Sequence, residues 1–315
     1  MISSPHHPPA RVRVAGAALA ACGGVALAVQ GRVNGQLGHL MNDGVVAALF
    51  SFGVGAVLLV VAVAVTPSAR AGLRRLRSSV RGGRLRGWQC LGGACGAWLV
   101  TTQGLTVSIL GVAVFTVAAV AGQVVASLWI DRRGIGPAPA QPITPPRAAG
   151  AGLAVVAVVV AVSGHTTATT SGGLWWALLP AVAGLGLAWQ LAVNGLVRVE
   201  SANVVVPTMV NFTVGALVLL VATAVDLAFR GLPQPPPGDW WLYTGGPLGI
   251  VAVLTAVTAV RFTGVLVLGL GSVAGQLVGA VVLDAVVPAA GGLSPTSVIG
   301  AGLTMVAVVV AALHR

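Results

Sequence analysis

Apolar residues fall into ten stretches along the chain, separated by charged residues, prolines and clusters of glycine. A helix that crosses the roughly 30 Å hydrocarbon core of a bilayer needs about 20 predominantly apolar residues, and each stretch approaches that length. Proline-rich segments at 137–146 and 233–237 cannot continue a helix and are predicted to be loops. The pattern predicts an all-α integral membrane protein with ten transmembrane helices, at 13–31, 45–65, 88–108, 111–130, 148–163, 174–195, 204–225, 240–260, 264–283 and 297–313.

These stretches form two related sets of five. The spacing Gln30-x3-Asn34-Gly35 recurs 160 residues later as Gln190-x3-Asn194-Gly195. Further along, residues 111–131 match 264–284 at 9 of 21 positions, and 150–161 match 300–311 at 10 of 12. Because five is an odd number of crossings, the second set must enter the membrane from the opposite side. An inverted repeat of this kind is typical of secondary transporters.

The repeat also divides the chain into expected units. We expect a disordered N-terminus at residues 1–10, a first five-helix repeat at 11–165 and a second at 166–315.

Composition excludes a soluble protein. Only 7% of the 315 residues are charged and the mean hydropathy is +0.97, whereas soluble domains carry about 25% charged residues. The net charge of +11 could suggest nucleic acid, but no basic face with interleaved aromatic residues accompanies it. We therefore expect no nucleic-acid partner and expect contact with membrane lipid instead.

The arginines predict the orientation. All 17 basic residues are arginine, and seven of them lie between residues 70 and 86. With the N-terminus in the cytoplasm, 15 of the 17 fall on the cytoplasmic side, which leaves only Arg32 and Arg230 outside. Since cytoplasmic loops are enriched in basic residues, both termini are predicted to be cytoplasmic.

The repeated anchors also resemble a known family. The run from Gln30 to Gly55, together with Ala121-Gly122-Gln123 and Ile130-Asp131, resembles the YdcZ-type inner-membrane exporters of the drug/metabolite transporter superfamily. The likeness extends over both halves. It implies a drug/metabolite-transporter-like bundle of two fused, inverted five-helix units in the cytoplasmic membrane, and it implies export of a small metabolite or toxic compound without defining the substrate.

Paired amides are the candidate site. Gln30 and Asn34 are four residues apart and lie on one helix face, and Gln190 and Asn194 repeat this arrangement. The amides could line a substrate path or could bond neighbouring helices to each other, and the sequence leaves both interpretations open. Gln123 and Gln276 each follow a glycine that allows a neighbouring helix to approach closely. The predicted substrate-binding residues are Gln30, Asn34, Gln190 and Asn194 first, then Ser51, Gln123, Asn211 and Gln276.

Taken together, these features predict a secondary transporter, an exporter that works by alternating access. The alternative is a membrane-embedded structural or lipid-binding protein without transport activity. Since no phosphate-binding loop, metal-spaced cluster or nucleophile–base pair is present, we expect no enzyme, no cofactor and no metal. The expected partners are a small-molecule substrate and lipid, and a homodimer is compatible with the sequence.

Overall fold

The computed structural model describes residues 10–137, 139–163, 173–288 and 293–312. These residues contain no strand. They form nine α-helices and two short 3-10 turns, at Gly87–Cys90 and Trp240–Tyr243. The helices are α1 (Ala10–Met41), α2 (Gly44–Val65), α3 (Pro67–Arg81), α4 (Gly92–Arg133), α5 (Pro145–Ser163), α6 (Gly173–Ser201), α7 (Val205–Arg230), α8 (Gly245–Val286) and α9 (Pro295–Ala312).

Helix α4 is a hairpin of two membrane-crossing arms. At about 1.5 Å per residue, its 42 residues would form a straight rod roughly twice as long as the bilayer core. Gly111, with φ 77° and ψ 165°, interrupts the helix in a backbone conformation that glycine adopts most easily. On α6, Gly186 lies against Cys95 of the first arm and Gly184 against Ala119 of the second, so the arms run side by side.

Helix α8 folds in the same way. Gly23 of α1 lies against Thr255, while the adjacent Gly24 lies against Ser272 and Gln276. Neighbouring residues of α1 therefore meet parts of α8 that a straight helix would separate by roughly 25 Å. Eight segments are long and apolar enough to cross a membrane, one of them spanning both arms of α4, and a shorter apolar helix covers Gly245–Thr255. When the two arms of α4 and the two arms of α8 are counted separately, the described chain has ten crossing segments. The predicted fold class is therefore confirmed.

The two halves are interlocked helix by helix. Helix α1 packs on α8, α6 on α4, α2 on α7, and α5 on α9. The closest contacts are mirrored at the repeat offsets: a Cβ on Gly122 would overlap the carbonyl oxygen of Ala181, and one on Gly275 would overlap that of Ala21. Gly122 and Gly275 thus allow the close helix approach that their positions predict. This reciprocity is what an inverted repeat requires.

Helix α3 has no counterpart in the second half, where residues 231–239 form a proline-rich connection. Its buried residues recur every three or four positions, at Ala69, Gly72, Leu76 and Ser79, whereas its arginines are exposed. The buried side packs on the end of α6, where Gly72 meets Asn203. The basic segment is therefore an amphipathic helix lying across one end of the bundle.

The predicted helix ends were too early in five places, where α1, α4, α6, α7 and α8 run past the predicted residues 31, 130, 195, 225 and 283. The first span was predicted to end at residue 31, but α1 continues to Met41. Arg32 does not end the helix; it is half-buried, and its Nε has no hydrogen-bond partner among the described residues. Helices α7 and α8 likewise run on to Arg230 and Val286. Asp226 and Asp284, which the sequence placed at or beyond span ends, therefore lie in the last turns of helices.

Candidate functional site

A cavity of about 200 Å³ lies between the halves. Helices α1, α2, α4, α6, α7 and α8 all contribute to its wall. Its polar residues are Gln30, Gln103, Thr116, Gln123, Gln190, Asn211 and Gln276, and its aromatic residues are Phe52, Phe115 and Phe212.

Four glutamines in the wall form two repeat-related pairs. Gln30 and Gln190 are 6% and 9% exposed, and Gln123 and Gln276 are half-buried. Within the described part of the chain, none of the four side-chain amides forms a hydrogen bond, and Gln190 Oε1 is fully buried without a partner. A buried amide without a partner costs roughly 1–3 kcal/mol unless water or a ligand binds it. These amides can therefore form hydrogen bonds with water or a ligand in the cavity.

The asparagines behave differently. Asn34 Nδ2 donates to Gln103 Oε1 at 2.7 Å, and Asn194 Nδ2 donates to Asn211 Oδ1 at 3.1 Å. Neither Asn34 nor Asn194 is part of the cavity wall. They position the wall residues Gln103 and Asn211 from behind.

The structure thus orders the predicted site residues differently from the sequence. Gln30, Gln190, Gln123, Gln276 and Asn211 line the cavity, whereas Asn34, Asn194 and Ser51 lie behind it. Four residues along a helix correspond to about 6 Å of rise. Residues that share a helix face can therefore sit at different depths, which is why each Gln–Asn pair is split between the wall and the layer behind it.

Glycines make room for the glutamines. A Cβ on Gly96 would lie 2.9 Å from Gln190 Oε1 and 3.2 Å from Phe52, and one on Gly249 would lie 3.0 Å from Gln30 Nε2 and 3.2 Å from Phe212. The same glycine–glutamine–phenylalanine unit therefore occurs twice, each time with the glycine and phenylalanine from one half and the glutamine from the other. The rings of Phe52 and Phe212 face each other with centroids 5.0 Å apart and planes at 33°.

Sequence reasoning missed Gln103 and Thr116. Both are polar residues inside an apolar helix, which was the available signal. The repeat did not select them, because the 153-residue offset places Ala256 opposite Gln103 and Gly269 opposite Thr116.

The described wall carries no Asp, Glu, Arg or His. A second recess of about 170 Å³ shares Val120 and Gln123 with the cavity and extends towards the junction of α4 and α5. There Arg147 forms an ion pair with Asp131 and donates to the carbonyl oxygen of Pro142 at 3.2 Å. The charge of Arg147, which lines this recess, is therefore balanced by an ion pair.

No group of three or more metal-ligating side chains occurs among the described residues. A family model described as "Putative inner membrane exporter, YdcZ" matches the chain twice, at residues 15–160 and 175–310. Among curated proteins, none matches the chain.

Proposed function

Because those two matches cover nearly all of its length, the chain belongs to the YdcZ inner membrane exporter family, and on that premise we propose that it is a secondary transporter. It moves a small molecule across the cytoplasmic membrane by alternating access, with the cavity between the halves as the substrate site. It binds and releases its substrate without a chemical step.

One observation carries the proposal. Four repeat-related glutamines, two from each half, line the cavity and have no hydrogen-bond partner among the described residues. Residues that only held helices together would be expected to bond each other, as the Nδ2 groups of Asn34 and Asn194 do. Behind the wall, Asn34 Oδ1 and Ser51 Oγ are buried without a partner as well. The alternative, a structural or lipid-binding membrane protein, gives no reason for directing four amides from pseudo-symmetric positions towards one cavity without a hydrogen bond to the described protein.

The orientation belongs to the same proposal. Placing α3 and its arginines in the cytoplasm puts both termini there as well. Reporter fusions after Arg86 and Arg315 should both give cytoplasmic signals. Extracytoplasmic signals at both positions would reverse the assignment, and signals on opposite sides would contradict the ten crossings.

The site is tested by comparing glutamine and asparagine variants of the purified full-length protein. First, a panel of metabolites and toxic compounds is screened for thermal stabilisation of the wild type. Gln30→Leu and Gln190→Leu remove no hydrogen bond, so the ligand-free protein should remain as stable as the wild type. Stabilisation by the ligand, and transport of it in proteoliposomes, should fall at least tenfold, which corresponds to about 1.4 kcal/mol.

Asn34→Leu is the matched control. It breaks the bond to Gln103 and should lower the stability of the ligand-free protein by about 1 kcal/mol. If the glutamine variants bind and transport normally, the cavity is not the substrate site.

A further inference from the structure

The cavity wall is electrically neutral and is repeated from both halves. Its described polar groups are amides and one hydroxyl, and its apolar part includes the facing rings of Phe52 and Phe212. We propose, building on the transport function above, that the substrate is an uncharged small molecule with a flat apolar face and hydrogen-bonding groups on more than one edge.

The argument against a charged substrate comes from solvation. An ion that enters the cavity exchanges bulk water for amide dipoles and aromatic carbon, and no described wall residue carries a compensating charge. The recess that shares Val120 and Gln123 with the cavity has Arg147 as its charged residue, and Arg147 is paired with Asp131. Arg32, which follows the wall residue Gly31, is not part of the wall. An uncharged solute incurs no such penalty.

The amides define the hydrogen-bonding part of the substrate. A glutamine presents both a donor and an acceptor, and rotation of its amide group exchanges their positions. Gln30 and Gln123 come from one half, and Gln190 and Gln276 come from the other. A ligand can therefore be held from two sides, provided that it carries donors or acceptors on separate edges.

Size and shape restrict the class further. A volume of about 200 Å³ is smaller than the roughly 300–1,000 Å³ typical of drug-sized sites. Phe52 and Phe212 pack on each other with ring centroids 5.0 Å apart, so a ligand contacts the remaining surfaces of these rings and of Phe115, to which a flat aromatic face is suited. Small aromatic amides, phenols and uncharged heterocycles fit this description.

The test measures charge selectivity inside the cavity without knowledge of the substrate. Cys22, Cys90 and Cys95 are replaced by alanine, and Thr116→Cys, a near-isosteric change in the wall, introduces one thiol. The thiol is treated with three methanethiosulfonates: the uncharged methyl reagent, the trimethylammonium-ethyl cation and the sulfonatoethyl anion. Each rate is divided by the rate at the exposed Ser163→Cys. Ala119→Cys serves as a second wall position in case Thr116→Cys does not fold.

We expect both charged reagents to react at least about tenfold more slowly than the uncharged one after this normalisation. Benzamide at millimolar concentration should slow the uncharged reagent, whereas its charged near-isosteres benzoate and benzamidine should not. Equal normalised rates for all three reagents, or protection by benzoate or benzamidine, would overturn the neutral-substrate assignment and leave an open transport cavity intact. If no reagent reaches either wall thiol, the cavity is sealed, and the proposed transport function fails first.

Discussion

The two ends of the bundle occupy equivalent positions in the repeat but are closed by different chemistry. At one end Asp43 caps α2 by accepting from the N–H groups of Val45 and Val46. At the other end Asn203, 160 residues later, accepts in the same way from Val205 and Val206. Both halves of this chain therefore have the same side-chain cap, but only the cap formed by Asp43 is a carboxyl group.

The charged groups around the two caps also differ. Asp43 faces the carboxyl of Asp226, which pairs with Arg230 at 3.5 Å. Next to Asn203, Arg75 Nε donates to the carbonyl oxygen of Ser201 at 3.0 Å, and Arg84 pairs with Glu200 at 3.4 Å. The membrane-buried contacts of the two halves are mirrored while their aqueous ends differ. Helix packing therefore preserves the repeat, and the ends carry the features that distinguish one side of the membrane from the other.

The largest expected effect concerns the hairpin of α4. Asp284, only 2% exposed, accepts from the N–H groups of Val112 and Ala113 at 3.0 and 2.7 Å, just after the break at Gly111. Asp284→Ala leaves both donors without this acceptor, so the free energy of unfolding should fall by about 3 kcal/mol in an SDS titration. Asp284→Asn should lose about half as much.

The exposed Asp239→Ala provides a control, and we expect it to change the stability by less than about 0.5 kcal/mol. A similar loss for Asp239→Ala and Asp284→Ala would mean that the carboxylate does not hold the two halves together at this turn.

A smaller effect should distinguish the residues that end α1 and α6. Asn42 and Ala202 are equivalent in the repeat, and both have positive φ, 51° and 46°. Asparagine tolerates this conformation better than alanine does. Because Ala202 is exposed, Ala202→Asn should stabilise the protein by about 0.5 to 1 kcal/mol, and Asn42→Ala should cost a similar amount. A higher melting temperature for Ala202→Asn together with a lower one for Asn42→Ala would attribute both changes to the backbone conformation. Shifts of the same sign would indicate a general effect of surface substitution.

The smallest expected effect is a pH dependence confined to the Asp43 end. Burial raises the pKa of Asp43 above its usual 3.8, the N–H of Val46 opposes this shift, and the carboxyl of Asp226 adds to it. The folded state therefore binds more protons than the unfolded state between 3.8 and the raised pKa. This contribution to stability is complete below 3.8 and is lost as the pH rises through the raised pKa.

Asp43→Asn, which copies the cap at Asn203, should remove this part of the pH dependence. The melting temperature of the variant minus that of the wild type should rise with pH across this window and then level off. A difference that stays constant with pH would show that Asp43 does not titrate in the window.

The sequence predicted the fold because hydropathy and the repeat both act along the chain. Ten apolar stretches and the matched Gln and Gly positions were enough to give the helices and their inverted relation. Gly111, the first residue of the predicted span 111–130, also agrees with a sharp turn directly after the span 88–108. The sequence predicted helix ends less well, because a charged residue such as Arg32 suggests the end of a span although α1 continues through it to Met41.

The site was predictable only in part, because its wall depends on depth as well as on helix face. Gln30 and Asn34 share a face, yet only Gln30 reaches the cavity. Gln103 belongs to the wall and fixes Asn34, but it has no counterpart in the repeat. Which amide bonds a neighbour and which stays free is decided by tertiary packing, and sequence spacing does not encode it.

The interlocking of the halves has a consequence for biosynthesis. The chain is made from its N-terminus, so α1 enters the bilayer about 200 residues before its packing partner α8 has been translated. Until then the glycine-lined surface around Gly23 and Gly24 must face lipid or a membrane insertion factor. The first half therefore remains incompletely packed in the membrane until the second half has been inserted. Synthesis of the two halves as separate polypeptides in one cell should still allow them to assemble, since most of the contacts between helices form between the halves rather than within either one.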